Sequence, residues 1–256
     1  MLRSRLIPIL LVQNGGLVKT KKFKNPKYVG DPLNAVRIFN EKKCDELVIL
    51  DIDASVKKLS PNLSEIKKWA SECRMPLCYG GGIKDLSTAM EILSYGVEKV
   101  SLSSAAIQTP NLIEEISKEA GSQSISVVID VKKSFLGDYK VYIHNGTKIE
   151  KLGLIDLLKV AQDNGAGEIV INNISLDGTM SGFDIDLLKK IIEHVSVPLT
   201  FIGGCGKLED VSTVLRVINP AGIGVGSLFV FKGKYNAVLI NYPDTIQKDA
   251  ILKIDS

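Results

Sequence analysis

Eight short apolar runs, separated by amphipathic segments, extend along most of the chain, and this alternation limits the folds that it can adopt. Each run has four to eight residues, and continuous apolar character is typical of parallel strands that are covered on both faces. The runs occupy residues 5–12, 46–51, 76–79, 99–102, 125–130, 168–172, 198–202 and 221–225. Strands that alternate with helices predict an α/β protein with a parallel sheet.

Polar residues follow the carboxyl ends of these runs, which favours a single (β/α)8 (TIM) barrel over residues 1–256. A doubly wound sheet is the alternative, but its GxGxxG fingerprint after the first strand is missing. Alternation with period two around Asn145-Gly146 predicts a β-hairpin inserted after the fifth strand. The lysine-rich stretch 13–30 is too long for a plain connector, so we expect either a mobile active-site loop or a solvated excursion.

A glycine-rich turn followed about twenty residues later by a strand that ends in serine occurs twice, half a chain apart. Such turns can bring bare backbone N–H groups close to an oxyanion, so two copies predict a ligand with phosphate at both ends. The alternative is that the glycines only form tight turns between strand and helix. The residues concerned are Gly82, Ser103 and Ser104 in the first copy and Gly204, Gly226 and Ser227 in the second.

The net charge of +3 suits a phosphorylated small molecule but is too small to indicate nucleic acid or a membrane surface as a partner. No run of eighteen apolar residues is present, and the first apolar run lacks a signal-peptide cleavage site. Four cysteines without CxxC spacing and two histidines far from the glycine turns predict neither a metal site nor a disulfide framework. We therefore expect a cytoplasmic protein without metal or organic cofactor.

Asp130, at the end of the fifth apolar run, is the strongest candidate for acid–base chemistry. Burial at the end of such a strand raises the pKa of a carboxyl group toward neutrality, where it can exchange protons. The alternatives are an N-cap or an ion pair with Lys132. Asp51 and Asp177 are weaker candidates, and either could cap a helix or orient a hydroxyl group.

From Leu2 to about Phe231 the chain resembles the cyclase subunit of imidazole glycerol phosphate synthase. The motifs that carry the resemblance are Asp31-Pro32, Leu50-Asp51-Ile52, Gly80-Gly81-Gly82-Ile83, Lys99-Val100-Ser101, Val128-Ile129-Asp130, Asp177-Gly178-Thr179, Ser181-Gly182, Gly203-Gly204 and Gly206-Lys207. The resemblance implies a (β/α)8 barrel that takes ammonia from a separate glutaminase subunit and closes an imidazole ring on a bis-phosphorylated substrate. It also implies that the two glycine turns, with Asp177 and Gly178, are the phosphate sites.

One departure from the family pattern affects the expected chemistry. The family uses two aspartates, at the ends of the first and fifth strands, and this chain has Asp130 at the second position but Leu11 at the first. Loss of one of two acid–base groups typically costs ~10²–10⁴-fold in rate. A second departure is Asn172, which stands on the sixth strand where the family usually has a hydroxyl side chain. Lys19 and Asp51 are the other residues that we expect in this pocket.

Four charged residues of alternating sign stand at the bases of the first, second, fourth and sixth strands: Arg5, Glu46, Lys99 and Glu168. Spacing alone favours solvated charges on the rim of a barrel. Their match to the family's ammonia gate favours a salt-bridged ring that faces the glutaminase subunit.

Three hypotheses follow. In the preferred one, the chain is a paralogue of the cyclase subunit, a lyase-type synthase subunit of a glutamine amidotransferase complex. It would pass ammonia to a sugar amidotransferase that makes acetamidino sugars for O-antigen or another surface polysaccharide. In the second, the chain is a genuine cyclase of histidine biosynthesis that makes imidazole glycerol phosphate and aminoimidazole carboxamide ribotide. In the third, it is a scaffold that only activates its glutaminase partner.

Overall fold

The computed structural model describes residues 3–135 and 137–252. Its strands are β1 (Arg5–Gln13), β2 (Gly16–Lys21), β3 (Lys24–Gly30), β4 (Leu47–Asp51), β5 (Leu77–Gly80), β6 (Lys99–Leu102), β7 (Ile125–Lys133), β8 (Tyr139–Ile143), β9 (Lys148–Ile149), β10 (Glu168–Asn173), β11 (Leu199–Ile202), β12 (Gly222–Val225), β13 (Phe231–Lys232) and β14 (Ala237–Val238). Its helices are α1 (Pro32–Glu41), α2 (Ala54–Lys57), α3 (Leu63–Glu72), α4 (Leu86–Ser94), α5 (Ser104–Gln108), α6 (Asn111–Ala120), α7 (Leu154–Asp163), α8 (Ile185–Ile191), α9 (Glu209–Leu215) and α10 (Thr245–Leu252).

Eight parallel strands close into a barrel in the order β1, β4, β5, β6, β7, β10, β11 and β12. β12 returns to β1 with Arg5 opposite Gly222, and β10 pairs with β7 with Asn172 opposite Asp130. A helix follows nearly every barrel strand and packs its apolar side on the barrel wall. The predicted (β/α)8 barrel is therefore confirmed, and every barrel strand includes most of one of the eight apolar runs.

Several helices begin at a capping side chain, among them α1, α3, α4 and α8. Asp31 accepts a hydrogen bond from the backbone N–H of Asn34 at 2.8 Å, and Pro32 occupies the first helical position of α1. The apolar face of this helix buries Ala35, Val36 and Phe39 in the main core cluster. A capping side chain of this kind accepts a hydrogen bond from a backbone N–H group that has no partner within the first turn of the helix. The apolar face of the helix is then buried against the barrel.

Three hairpins follow the carboxyl ends of barrel strands, and the shortest of them is the pair β13–β14. The hairpin after the fifth barrel strand is present as predicted, since β7 continues into antiparallel β8, and β9 pairs with β8. The stretch 13–30 forms a regular hairpin, because β2 pairs with β1 and β3 pairs with β2. Most of β3 is exposed, so of the two alternatives the solvated excursion agrees better with the structure. Leu17 and Val18 at the base of that hairpin are buried, and lysines along both strands obscure the apolar pattern in the sequence.

Among the described residues, no helix has both the length and the apolar character needed to cross a bilayer.

Candidate active site

Two adjoining cavities lie at the carboxyl ends of the barrel strands. The larger has a volume of about 140 Å³ and is lined by Leu11, Asp51, Gly82, Ser103, Ser104, Asp130, Asn172 and Asp177. The smaller has a volume of about 30 Å³ and is lined by Leu11, Lys19, Asp177, Gly178, Gly204, Gly226 and Ser227. The structure thus gathers every residue that the sequence nominated for the ligand end of the barrel. The first glycine turn borders one cavity and the second borders the other.

Asp130 and Asn172 form the buried polar pair of the larger cavity. The Asn172 amide nitrogen donates a hydrogen bond to Asp130 Oδ1 at 3.0 Å, and both side chains are at most 9% exposed. Burial raises the pKa of Asp130 to about 7, the bond from Asn172 opposes that rise, and the negative charge of Asp177 adds to it. Neither a helix N-terminus nor Lys132 is among the hydrogen-bond partners found for Asp130 in the described part of the chain, so its contacts do not support the alternative roles of N-cap or ion-pair partner.

Leu11 places an apolar side chain in both cavities. Two other carboxylates line the larger cavity beside it, and both have partners. Asp177 Oδ2 accepts hydrogen bonds from Thr20 Oγ1 at 3.0 Å and from the Phe23 N–H at 3.4 Å. Asp51 Oδ1 instead accepts the N–H groups of Asp53 at 3.0 Å and Ala54 at 3.1 Å, which fixes the start of α2.

Lys19 is a buried cation in the wall of the smaller cavity. Its Nζ donates to the backbone oxygen of Ile9, and a Cβ atom added at Gly226 would lie 3.1 Å from that Nζ. Burial lowers the pKa of Lys19 to about 8, and the nearby charge of Asp177 partly opposes this shift. The cavity therefore has a lysine that is mostly charged at neutral pH and has few charged neighbours to neutralise it.

Glycine at two positions lets backbone segments meet where a side chain could not fit. A Cβ atom at Gly204 would lie 2.0 Å from the Gly182 carbonyl oxygen, and one at Gly178 would lie 2.1 Å from the Thr20 carbonyl oxygen. Both glycines have positive φ, +107° and +66°. These contacts hold the loop that contains Gly178 and Gly182 between the second glycine turn and the hairpin β2–β3, so the smaller cavity depends on all three segments.

At the opposite end of the barrel four charged side chains form a closed ring of ion pairs. Lys99 Nζ lies 2.6 Å from Glu46 Oε1 and 2.7 Å from Glu168 Oε2. Arg5 Nη2 lies 2.7 Å from Glu168 Oε1, and Arg5 Nη1 pairs with Glu46. Burial by itself would raise the pKa of Glu168, but Lys99 and Arg5 outweigh burial and lower it. Glu46, Lys99 and Glu168 are thus buried ion-pair partners, and Arg5 is a partly exposed one, rather than charges on a solvated rim.

The barrel interior between this ring and the larger cavity is mainly apolar. It holds a cavity of about 20 Å³, which is enough for one molecule the size of water. Glu46 and Glu168 border this space below, while Leu50, Val128 and Ile202 border both it and a cavity above. A small neutral molecule at the ring would therefore meet a mainly apolar interior on its way to Asp130.

Four contributors to these sites were missed from the sequence. Thr20 and Phe23 come from the hairpin β2–β3, Asn145 comes from the turn before β9, and all three line the larger cavity. Thr200 donates a hydrogen bond to Glu168 in the ring. The lysines of the hairpin mask the apolar pair Leu17-Val18, which is the one sequence feature that could have indicated the first two. Asn145 reaches the cavity only through folding of the inserted hairpin.

Comparison with known proteins agrees with this architecture. The family model described as "Histidine biosynthesis protein" matches residues 5–236. A protein of Leptospira borgpetersenii, provisionally named imidazole glycerol phosphate synthase subunit HisF, is 52% identical over 252 residues, covering 98% of this chain and 99% of its own. A Vibrio vulnificus protein, provisionally named subunit hisF3, is 52% identical over 255 residues, covering 99% and 98%.

The imidazole glycerol phosphate synthase subunit HisF of Natranaerobius thermophilus is 37% identical over 242 residues, covering 94% of this chain and 96% of its own. Coverage of more than nine-tenths of both chains at this identity means that the match is not confined to single motifs. The chain therefore belongs to the histidine biosynthesis protein family, within which it is a HisF-like barrel.

Proposed function

We propose that this chain receives ammonia from a glutaminase subunit and passes it through the barrel to the amidation of a sugar, of the acetamidino type found in surface polysaccharides. The observation that carries the proposal is the contrast between the two ends of the barrel. In the lower ring each of the two glutamates is paired with both Arg5 and Lys99. The upper cavity has Leu11 where the cyclase family has one of its two aspartates.

The lower end suits a gate for ammonia. An ion that enters an apolar interior loses its hydration at a cost of several kcal/mol, whereas neutral ammonia loses little. A ring of buried ion pairs that opens at one contact would therefore admit ammonia and exclude hydrated ions. We assign this role to the four ring residues, with the glutaminase docked on the amino ends of the strands: Arg5, Glu46, Lys99 and Glu168.

The upper end lacks the second acid–base group of ring closure. Leucine neither accepts nor donates a proton, and the carboxylate of Asp177 is bonded to Thr20 and Phe23. Asp130, with a pKa of about 7, can exchange one proton near neutral pH, whereas ring closure in the cyclase family uses two such groups. This arrangement supports delivery of ammonia more strongly than it supports the two-group chemistry of a cyclase.

The two glycine turns support a phosphorylated ligand at the upper end. Bare backbone near Gly204 and the cation of Lys19 suit an oxyanion in the smaller cavity. The ligand would span both cavities, because they share Leu11 and Asp177 in their walls. We assign phosphate contacts to Gly82, Ser103 and Ser104 at one end and to Asp177, Gly178, Gly204, Gly226 and Ser227 at the other.

The relatives support a paralogue. Identity to the Vibrio vulnificus protein with the numbered name hisF3 is 52%, compared with 37% to the HisF subunit of Natranaerobius thermophilus. Transfer of ammonia through the chain requires two protein partners: the glutaminase that supplies it and a sugar amidotransferase that performs the amidation.

The test reconstitutes this chain with its glutaminase and the sugar amidotransferase, and supplies glutamine labelled with ¹⁵N in the amide together with excess unlabelled ammonium. We expect labelled nitrogen in the sugar product, because channelled ammonia does not mix with the bulk. Lys99→Met should leave glutamine hydrolysis measurable and lose the label. The control is Lys68→Met, which breaks an exposed 2.6 Å ion pair with Glu65 and should retain the label.

A second assay distinguishes the proposed delivery of ammonia from the cyclase hypothesis. The purified chain is given the bis-phosphorylated substrate of imidazole glycerol phosphate synthase with ammonium at alkaline pH. We expect turnover at least about 10²-fold below that of a two-aspartate cyclase. Turnover equal to that of such a cyclase would contradict the proposal, as would label transfer that is lost equally in both lysine variants.

A further inference from the structure

The exposed apolar side chains of this protein are concentrated on one face. Ten large apolar side chains are exposed in the described part of the chain, and nine of them lie in segments that follow the carboxyl ends of barrel strands. Tyr28 is 66% exposed and Tyr235 is 88% exposed. Single exposed apolar residues need no explanation, but their collection on the face that holds the candidate site does.

The same face carries most of the excess positive charge. Three hairpins project there, over residues 16–30, 132–151 and 231–238, and together they hold twelve of the 32 basic residues but only two of the 29 acidic ones. The rest of the chain is therefore net negative, although the whole chain is +3. We call these three hairpins the basic rim. Lys24, Lys140 and Lys234 are exposed and line neither cavity.

The three hairpins adjoin one another above the larger cavity. The ring of Phe23 lies against Gly146, where an added Cβ atom would be 3.0 Å from it, so the first and second hairpins touch. Lys27 Nζ lies 5.1 Å above the centre of the Phe231 ring and 3.4 Å from the Asn236 carbonyl oxygen, which joins the first hairpin to the third. The basic rim is thus one continuous surface at the mouth of the cavity.

We infer that the basic rim docks the enzyme that consumes the ammonia, through an acidic face of that enzyme with apolar residues at its centre. The inference rests on the proposed function. Charge complementarity defines the partner's face, because exposed lysines steer and orient an acidic surface. A small phosphorylated ligand also responds to positive charge, but it does not require exposed rings such as Tyr28 and Tyr235, whereas protein interfaces are enriched in them.

The position of the rim also fits this partner. Phe23 and Asn145, at the tips of two rim hairpins, line the larger cavity. A protein seated on the rim would close the cavity against solvent at the point where ammonia leaves the barrel. Ammonia that entered bulk water at neutral pH would become ammonium, so a sealed mouth is what transfer requires. Glutaminase and acceptor enzyme would then occupy opposite ends of the barrel.

The experiment measures binding of this chain, with its glutaminase, to the purified sugar amidotransferase by sedimentation at low and high salt, about 50 and 300 mM. The rim variant is Lys24→Glu/Lys140→Glu/Lys234→Glu. Its control reverses three exposed lysines on helix faces, Lys67→Glu/Lys159→Glu/Lys189→Glu. A second rim variant, Tyr28→Ser/Tyr235→Ser, removes apolar surface without changing charge.

We expect both rim variants to weaken binding by about ten-fold or more and the control by less than about two-fold. High salt should weaken binding of the wild-type chain and have little further effect on the charge variant. Equal affinities for rim and control variants would overturn the inference. So would tight binding of the wild-type chain to vesicles of equal parts phosphatidylglycerol and phosphatidylcholine with no binding to the enzyme.

The same samples separate this inference from the proposed function. Binding through the rim without labelled nitrogen in the sugar would contradict the proposed function but still support the docking surface. Labelled nitrogen in the sugar at equal yield from the wild-type chain and the rim variants would contradict the docking surface but still support the proposed function.

Discussion

The amide nitrogen of Asn172 lies 3.0 Å from Asp130 Oδ1, between directly paired positions of β10 and β7. The other polar atom of the amide, Asn172 Oδ1, is buried and is the one buried side-chain oxygen or nitrogen without a partner in the described part of the chain. An amide turned by 180° would present this oxygen to a protonated Asp130. The pair can therefore satisfy either protonation state of the carboxyl group.

Replacing the carboxyl group should change how stability depends on pH. A buried carboxyl whose native pKa is raised to about 7 binds its proton more tightly in the native state, so it destabilises the fold increasingly as pH rises from about 4 to 7. Asp130→Asn removes this effect. We expect its free energy of unfolding, relative to wild type, to increase by roughly 2–3 kcal/mol between pH 5 and pH 8. Urea unfolding at both pH values measures this, and a constant difference would contradict it.

Removing the donor should move the titration of Asp130 upward. The Asn172 hydrogen bond opposes the rise in the pKa of Asp130, so Asn172→Leu, which keeps similar volume, should raise that pKa further. Carboxyl chemical shifts of ¹³C-labelled protein report the midpoint. Asn164→Ala is the control, because that amide bonds only to the Val160 carbonyl oxygen at the end of α7. A midpoint that falls in Asn172→Leu would show that the amide does not stabilise the carboxylate.

Restoring an acid at Leu11 tests how far the upper cavity has diverged. Leu11→Asp places a carboxylate in the cavity that holds Asp130, so we expect the weak ring-closing activity with ammonium to increase by ~10²–10⁴-fold. Leu11→Asn has the same size and cannot exchange a proton, so it should give no increase. Equal activities of the two variants would mean that other positions of the cavity also prevent the reaction.

Breaking the ring of ion pairs should lower the free energy of unfolding, and a second substitution should recover part of the loss. Lys99→Met leaves Glu46 and Glu168 with Arg5 as their remaining cation, and we expect a loss of about 3–5 kcal/mol in the free energy of unfolding. Adding Glu46→Gln removes one of the two stranded charges and should recover part of that loss. Chemical denaturation of the single and double variants measures the difference. If Glu46→Gln lowers the free energy of unfolding further, the two carboxylates are not destabilised by the loss of Lys99.

The close backbone contact at Gly178 predicts a steric effect separate from its φ angle. Alanine there would place Cβ 2.1 Å from the Thr20 carbonyl oxygen, so Gly178→Ala should displace β2 and weaken any phosphate ligand. Gly96→Ala has a similar positive φ of +93° and open space around the added atom, so it isolates the conformational cost of about 1 kcal/mol. Thermal unfolding of both variants compares them, and equal losses would argue against the contact.

The sequence alone determined the barrel, because eight apolar runs with amphipathic segments between them have few other ways to bury both faces. It also nominated the residues of both ends, because parallel strands in a barrel bring their carboxyl ends to one rim and their amino ends to the other. Glu46 and Lys99 could be expected at the lower rim on that ground, and Asp130 at the upper.

Only the tertiary structure decided which of these residues touch. The ring at Arg5 could not be distinguished from solvated charges by spacing, since burial and pairing depend on the tilt and closure of strands distant in the chain. The hairpin β2–β3 was hidden because its register comes from β1, and its lysines break the apolar pattern. The partners of Asp177 and Asp130 likewise arise from segments that meet only when the barrel closes.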